Sequence, residues 1–344
     1  MRVIQASGPK NFGLIQMPMP RASAGRALVR VDACSLCGSD LKLLRGEMGG
    51  VDFPIVPGHE WCGTILESQG QLDWAGRRIV ADILENCGGC RYCASALPNL
   101  CNSLVEPGLT LNGAFAEFIT VPIENIHFIP DSMESGEACL IEPLAVVLYG
   151  LKRVPVTEPD RVLILGGGGI GQLLLRAAKR HHPDWIALAD PHPERRRAAE
   201  RGGADVTFDS GDGSLEALAA ALEGQRPPTL VFEVSGNSGG FLNALEVVEK
   251  GGRVGLVGYA GHQVVSFTPS TVMVKLLSVH GILSPTGTWS EAIGLVGRGD
   301  IETQSLLTHR FSLSDFPQAY ETMATRRDGA IRVVVHPHLA TEKS

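Results

Sequence analysis

The sequence lacks the features of a membrane or secreted protein. No uninterrupted apolar run approaches the roughly 18 residues that a membrane-spanning helix needs, and the segment MRVIQASGPKNFGL has no apolar core of signal-peptide length. We therefore expect a cytoplasmic protein with no membrane partner. An excess of basic residues is also missing, because 30 Lys and Arg stand against 37 Asp and Glu, a net charge of −7. This balance argues against a nucleic-acid partner and favours an enzyme or a binding protein.

The chain is long enough for more than one globular core. Its 344 residues exceed the usual size of a single core, so two domains are expected. Hydrophobic residues make up 44% and charged residues 19%, which is typical of a folded protein. Eight cysteines are present, and in a reducing compartment they indicate thiolates and metal sites rather than disulfides.

Two regions differ in hydrophobic pattern. Residues 1 to about 140 contain short apolar runs such as ALVRVDACSL and RRIVADIL, broken by Gly and Pro, which favours an irregular, strand-rich domain. From about residue 143, strand-like runs alternate with helical ones, as in RVLILG, IGQLLLRAAKRH and WIALAD. This alternation predicts a doubly wound parallel sheet with helices on both faces, and so an α/β fold. After about residue 285, two helical segments precede the strand-like AIRVVVHP.

A glycine-rich motif lies where the first strand of the second region ends. RVLILGGGGIGQ has the spacing G-x-G-x-x-G and opens a helix, an arrangement that brings a pyrophosphate close to the backbone. The next strand ends in Asp190, whose carboxylate is placed to accept hydrogen bonds from the adenosine ribose. The candidate NAD-binding residues are Gly166, Gly168, Gly169, Ile170, Gly171 and Asp190. The arginines that follow, Arg195 to Arg197, favour a solvated helix face, with contact to a 2′-phosphate as the alternative.

Four cysteines form a compact cluster in ENCGGCRYCASALPNLC. Cys87, Cys90, Cys93 and Cys101 have the spacing C-x2-C-x2-C-x7-C, and four thiolates on one loop can close a tetrahedral zinc site. Such a site has no open position and is therefore predicted to be structural. An iron–sulfur cluster is the chemical alternative, but hydride chemistry on a dinucleotide needs no such centre.

Three separated segments supply the ligand types of a second, open zinc site. They contain Cys37 in SLCGSDLK, His59 with Glu60 in VPGHEW, and Glu142 in CLIEPLAV. Thiolate, imidazole and carboxylate all bind zinc, and three protein ligands with one water describe a catalytic site. Because the segments are far apart in sequence, spacing alone does not establish that they meet.

Together these motifs resemble the zinc-containing medium-chain dehydrogenases over essentially the whole chain. The motifs are CGSD at 37–40, GHE at 58–60, the four-cysteine loop at 87–101, EPLAV at 142–146, GGGGIG at 166–171 and GGRVGLVG at 251–258. The resemblance implies a mainly β, GroES-like catalytic domain over residues 1–145 and 286–344, and a Rossmann NAD-binding domain over 146–285. It also implies two zinc ions per chain and a homodimer or homotetramer.

The resemblance implies roles for matching residues. Cys37, His59 and Glu142 would bind the catalytic zinc, with Glu60 able to replace Glu142. Asp40 would orient His59, and Ser39 would receive the substrate proton. Arg332 matches a basic position that can reach the cofactor phosphates, and we add Arg195 to the cofactor-binding candidates. Where many relatives place a relay histidine, this chain has Lys42, and Lys42, Arg45, Glu47 and Met48 match positions that border the substrate pocket.

Glu142 stands where alcohol dehydrogenases of the family carry a cysteine, which makes the chain similar to the sorbitol, threonine and polyol branch. A narrower similarity, to the 2-deoxy-scyllo-inosamine dehydrogenases, rests on CGSDL, VPGHEW, EPLAV, PHPERR and GGRVGLVGY. It implies NAD-dependent oxidation of a cyclitol or amino-cyclitol hydroxyl to a ketone, in aminoglycoside antibiotic biosynthesis. The alternatives are a sorbitol or L-threonine 3-dehydrogenase, a zinc-free quinone reductase-like protein, and a non-catalytic NAD-binding protein.

Overall fold

The computed structural model describes residues 1–70 and 73–339, which divide into two units. The first unit comprises Met1–Ala145 and the chain from Pro285 onward, and the second is Val146–Ser284. The strands, in chain order, are β1 (Arg2–Gly8), β2 (Asn11–Gln16), β3 (Arg26–Ser35), β4 (Glu60–Ser68), β5 (Arg78–Ala81), β6 (Phe118–Pro122), β7 (Ile126–Phe128), β8 (Arg161–Leu165), β9 (Trp185–Ala189), β10 (Val206–Phe208), β11 (Leu230–Glu233), β12 (Arg253–Leu256), β13 (Ser278–Gly281), β14 (Leu307–Ser312) and β15 (Arg332–His336).

Eleven α-helices are assigned within the described ranges. They are α1 (Gly38–Arg45), α2 (Arg91–Ala94), α3 (Ser135–Cys139), α4 (Ile141–Arg153), α5 (Gly169–Lys179), α6 (Pro193–Arg201), α7 (Leu215–Ala221), α8 (Ser238–Val247), α9 (Ser270–Val274), α10 (Trp289–Gly297) and α11 (Phe316–Thr325). None of the helices in the described ranges has the length and apolar character needed to cross a membrane.

The first unit is built on a mainly antiparallel sheet. Its strand order is β14-β15-β3-β4-β5-β7, with β6 also paired to β3, and β1 and β2 form a separate hairpin. The long strand β3 alternates buried Val29 and Val31 with the exposed Arg30, so its inner face joins the core around Phe115 and Phe316. This packing places the end of β3 beside the start of β4, with Ser35 opposite Glu60.

The second unit is a six-stranded parallel sheet, which confirms the prediction from the alternating pattern. Its order is β10-β9-β8-β11-β12-β13. Strands β8 and β9 are buried at every residue, because helices cover both faces of a parallel sheet. Numbered from β8, the order is 3-2-1-4-5-6, and it reverses between β8 and β11. Dinucleotides bind at the carboxyl ends of the strands at such a reversal.

Candidate active site

The glycine turn between β8 and α5 has the geometry that the motif predicts. Gly166 has φ of +110°, a conformation that side chains disfavour, and a Cβ on Gly171 would lie 1.9 Å from the Gly166 carbonyl oxygen. Gly168 caps α5 and Gly169 and Ile170 form its first turn. The N–H groups of this turn are suited to an anion. The structure therefore keeps this turn free of side chains where a pyrophosphate would approach.

Asp190 lies beside this turn and is 3% exposed. Its carboxylate accepts hydrogen bonds from the N–H groups of Gly167, at 2.7 Å, and His192, at 2.8 Å. An Arg195 nitrogen lies 3.6 Å from the same carboxylate. These contacts fix the acid at the end of β9, where the motif predicted it.

The expectation of a solvated arginine face is wrong for two of the three arginines. The Arg195 side chain is 12% exposed and lies against Asp190, and that of Arg196 is 18% exposed and pairs with Asp209 at 3.0 Å. Arg196 also donates to the backbone carbonyl of Asp190 at 2.8 Å. Only Arg197, with its side chain 57% exposed, faces solvent. The difference arises because α6 packs its first turn against the carboxyl end of β9.

The structure brings Cys37, His59 and Glu60 together. One ligand atom from each lies within 4.8 Å of the others. Cys37 immediately precedes α1, and His59 immediately precedes β4, whose first residue is Glu60. The donor set of one sulfur, one nitrogen and one oxygen fits zinc.

Asp40 joins the two segments that carry these ligands. Its Oδ2 accepts from the Cys37 N–H at 2.8 Å, its Oδ1 accepts from the Gly58 N–H at 3.2 Å, and Oδ1 lies 3.6 Å from His59 Nδ1. Ser39 Oγ lies 3.2 Å from His59 Nε2. Burial opposes a charge on His59, but Asp40 and Cys37 outweigh it and raise the pKa of His59 well above its usual value. Asp40 therefore orients the imidazole electrostatically.

Arg332 is buried in the first unit, where it contacts Glu60. It begins β15, is 2% exposed, and donates to both carboxylate oxygens of Glu60, at 2.8 and 2.5 Å. This ion pair, from one guanidinium nitrogen to both carboxylate oxygens, lies inside the first unit, and a contact of Arg332 with the cofactor phosphates stays a prediction. The pair forms because Glu60 is fully buried, and a buried carboxylate requires a charged partner.

Glu142 is buried in the first turn of α4 but lies outside the three-residue ligand group. Burial raises the pKa of Glu142 to about 8; Glu60 adds to the rise, and His59 and Arg332 oppose it. Its charge is therefore coupled to the Cys37, His59 and Glu60 group. Glu60, inside the ligand group, and Glu142, coupled to it, are the two candidates for the third ligand. Lys42 is half-buried on α1, one turn after Ser39.

The four cysteines of the loop converge as predicted. The Sγ atoms of Cys87, Cys90, Cys93 and Cys101 lie within 4.8 Å of one another. Backbone N–H groups of Cys93 and Asn102 lower the pKa of Cys90 to about 6. Desolvation and the neighbouring thiols raise the pKa of Cys93 to about 12. Four sulfurs this close together form a tetrahedral donor set, so the loop fits zinc.

Sequence reasoning missed two polar contacts near these sites. The first is the Glu60–Arg332 pair, which joins residues 272 positions apart. The second is Gln172, whose amide donates to the carbonyls of Gly167 and Arg195 at 3.1 and 2.8 Å. A buried Gln on an otherwise apolar helix face was the available signal for the second. No local pattern could have signalled the first.

Comparisons with known proteins agree with this geometry. Residues 23–131 match the alcohol dehydrogenase GroES-like domain, and residues 169–298 match the zinc-binding dehydrogenase domain. The fold and the ligand clusters thus define an oxidoreductase that uses zinc and a nicotinamide dinucleotide. The chain belongs to the zinc-dependent medium-chain alcohol and polyol dehydrogenases.

Individual relatives cover nearly the full length of the chain. It is 27% identical to sorbitol dehydrogenase from Bacillus subtilis (strain 168) over 330 residues, which cover 94% of this chain and 93% of the relative. It is 27% identical to L-threonine 3-dehydrogenase from Anaeromyxobacter sp. (strain K), with 92% of both chains covered. A zinc-binding dehydrogenase from Sinorhizobium meliloti 1021, solved with NADP, has a TM-score of 0.89 and 29% identity, covering 98% of this chain and 99% of that chain.

Proposed function

We propose that the protein oxidises a secondary hydroxyl of a cyclic polyol or amino-cyclitol, of the 2-deoxy-scyllo-inosamine kind, to a ketone. The hydride passes to NAD, and the hydroxyl proton is released. The observation that supports this substrate class is a pair of buried carboxylates, Glu60 in the candidate ligand group and Glu142 electrostatically coupled to it. They make the site rich in oxygen, which suits a substrate with several hydroxyls. An alkyl substrate would leave polar groups unpaired, at about 1–3 kcal/mol for each one buried.

Residues of the first unit would hold both metals. Cys37 and His59 would bind the catalytic zinc, with Glu60 or Glu142 as the third ligand. Bound there, zinc polarises the substrate oxygen as a Lewis acid and lowers the pKa of the hydroxyl. The four cysteines of the loop would close the structural site. Residues of the second unit would hold the dinucleotide, so the first unit is the catalytic domain in this proposal.

The surrounding residues would position groups and move the proton. Asp40 holds His59 and the N–H of Cys37, so it keeps the ligand segments in register. Ser39, whose Oγ lies beside the His59 ring, would receive the substrate hydroxyl proton. Lys42 occupies the next turn of α1 and is the candidate to pass that proton onward.

We propose a preference for NAD over NADP. Asp190 would face the 2′-phosphate of NADP with a like charge. The neighbouring cation, Arg195, already pairs with Asp190. Catalytic efficiency with the two cofactors tests this directly. Equal efficiency would refute it and would mean that Arg195 turns from Asp190 to the phosphate.

The substrate class is tested by comparing catalytic efficiency for 2-deoxy-scyllo-inosamine, a cyclitol, sorbitol, L-threonine and ethanol, read as NADH absorbance. Preference for the cyclic substrates is expected. Preference for ethanol would refute the argument from the polar site. The names of the sorbitol and threonine dehydrogenase relatives favour an open-chain polyol or threonine as the second candidate. A preference for either would refute only the cyclic assignment.

We also propose that two copies associate through the edge of the parallel sheet. In the described part of the chain, β13 pairs only with β12. Exposed apolar side chains surround this edge: Met273 (68%), Val274 (66%), Leu276 (77%) and Leu283 (67%). An open apolar edge strand can pair with a strand of another chain. The same edge of an identical copy can pair with it across a two-fold axis.

The mass of the protein in solution tests this association. The wild type is expected to elute as a dimer or a multiple of it, and Leu276→Lys combined with Leu283→Lys should give monomers. An exposed double substitution elsewhere, Leu14→Lys with Leu66→Lys, is the matched control. A monomeric wild type, or a dimeric edge variant, would contradict the proposed interface.

A further inference from the structure

A buried acid lies at the strand-order reversal of the second unit. Glu233 is the last residue of β11, is 2% exposed, and stands in register with Leu165, the last residue of β8. The two strands are neighbours in the sheet, and the order reverses between them. No motif of the sequence includes this carboxylate, and burying it requires that its hydrogen bonds be satisfied.

The carboxylate holds the turn that leads from β11 to α8. Glu233 Oε1 accepts from the backbone N–H of Ser235 at 2.8 Å, and it also accepts from the hydroxyl of Ser235. The Ser235 hydroxyl in turn accepts from the N–H of Asn237 at 3.1 Å. Two positions before α8, Ser235 directly and Asn237 through the Ser235 hydroxyl, are thereby tied to one carboxylate. We call residues 235–237 the β11 turn.

The β11 turn packs tightly against the glycine turn of the dinucleotide motif. A Cβ on Gly166 would lie 2.8 Å from the Ser235 nitrogen and 2.9 Å from its Cα. The N–H of Val234 donates to the carbonyl of Leu165 at 3.0 Å. On the other side, a Cβ on Gly258 would lie 2.5 Å from Glu233 Oε2 and 2.3 Å from the Gly236 nitrogen. The carboxylate and the β11 turn therefore lie packed between Gly166 on one side and Gly258 on the other.

A dinucleotide spans the reversal point with one half on each side. Asp190, at the end of β9, marks the side that receives the adenosine ribose, so the β11 side receives the nicotinamide half. We infer that Glu233 is a positioning residue that fixes the β11 turn as the wall for the nicotinamide half of the cofactor. This inference rests on the proposed use of NAD. Glu233 contacts the β11 turn and not the cofactor itself.

The test compares binding of two ligands to the holoenzyme by titration calorimetry: NADH, which fills both halves, and AMP, which fills only the adenosine half. Glu233→Gln keeps the shape but removes the charge, and it is expected to weaken NADH binding about tenfold while leaving AMP binding unchanged. Ser235→Ala should act in the same direction. Glu249→Gln, an exposed acid of the same unit, is the control and should change neither constant.

The two binding constants together decide whether Glu233 has the positioning role. Unchanged NADH binding in Glu233→Gln, or equal losses for NADH and AMP, would overturn the positioning role, since equal losses indicate general damage to the unit. If Glu233→Gln does not fold, Ser235→Ala and Gly258→Ala carry the same comparison; Gly258→Ala displaces the turn through its Cβ. A wild type that binds neither ligand would refute the proposed use of NAD, which is a different failure from that of Glu233.

Discussion

The buried ion pair between Arg332 and Glu60 gives the sharpest stability prediction. The side chains are 3% and 1% exposed, and they meet through two N–O contacts of 2.8 and 2.5 Å. Arg332→Met removes the cation but keeps much of the volume, so it leaves the Glu60 carboxylate buried without its partner. Solvent cannot compensate at this exposure. Breaking a buried pair in this way costs about 3–5 kcal/mol.

The assay is thermal and urea-induced unfolding of wild type and variants treated alike with chelator, because a zinc ion on Glu60 would itself compensate the carboxylate. A loss of this size in a unit of about 200 residues lowers the melting temperature by roughly 10 °C. Arg197→Met is the matched control, because the Arg197–Glu194 pair is exposed and contributes no more than about 0.5 kcal/mol. Adding Glu60→Gln to Arg332→Met should recover part of the stability, since the uncompensated charge is then removed.

One result would refute this reasoning. If Arg332→Met unfolded within about 1 kcal/mol of the wild type, the pair would not carry the buried charge. If the same variant raised the KM for NAD many-fold without losing stability, the role in cofactor binding implied by the family resemblance would be correct after all.

Three further predictions follow from the other sites. Cys101→Ser should reduce the zinc content from about two ions per chain to about one and lower the melting temperature, because the loop is held by its metal; full stability with complete loss of turnover would contradict a structural site. Gly171→Ala should abolish NADH binding measured by fluorescence, since its Cβ would lie 1.9 Å from the Gly166 oxygen, and retained affinity would show that the turn can yield. Burial raises the pKa of Asp82 to about 6, so the folded protein holds this proton between about pH 4 and 6 and the group lowers stability as pH rises through that range. Asp82→Asn should therefore gain stability over the wild type at pH 7 but not at pH 4; an equal difference at both pH values in urea unfolding would exclude this titration.

Local patterns in the sequence were sufficient to predict the parallel sheet and the four-cysteine loop. The parallel sheet followed from apolar runs alternating with helical ones, and β8, α5 and β9 lie where the pattern placed them. The four-cysteine loop was readable because its ligands fall within 15 consecutive residues. The helices α1 and α4, which carry Ser39 and Glu142, were not predicted, because α1 has only eight residues and α4 is buried along most of its length, so neither shows a clear polar face.

By itself, the sequence determined the fold class, the glycine turn with its acid, and the chemistry of both metal-ligand sets. Short spacings and hydrophobic periodicity act along the chain, so they are visible without coordinates. Only the tertiary structure decided which distant residues meet. It paired Glu60 with Arg332, drew Arg195 and Arg196 against the end of β9, and set Glu233 beneath the glycine turn. Strand order and packing set these contacts, and the Glu60–Arg332 pair, which joins residues 272 positions apart, leaves no trace in the residues around either partner.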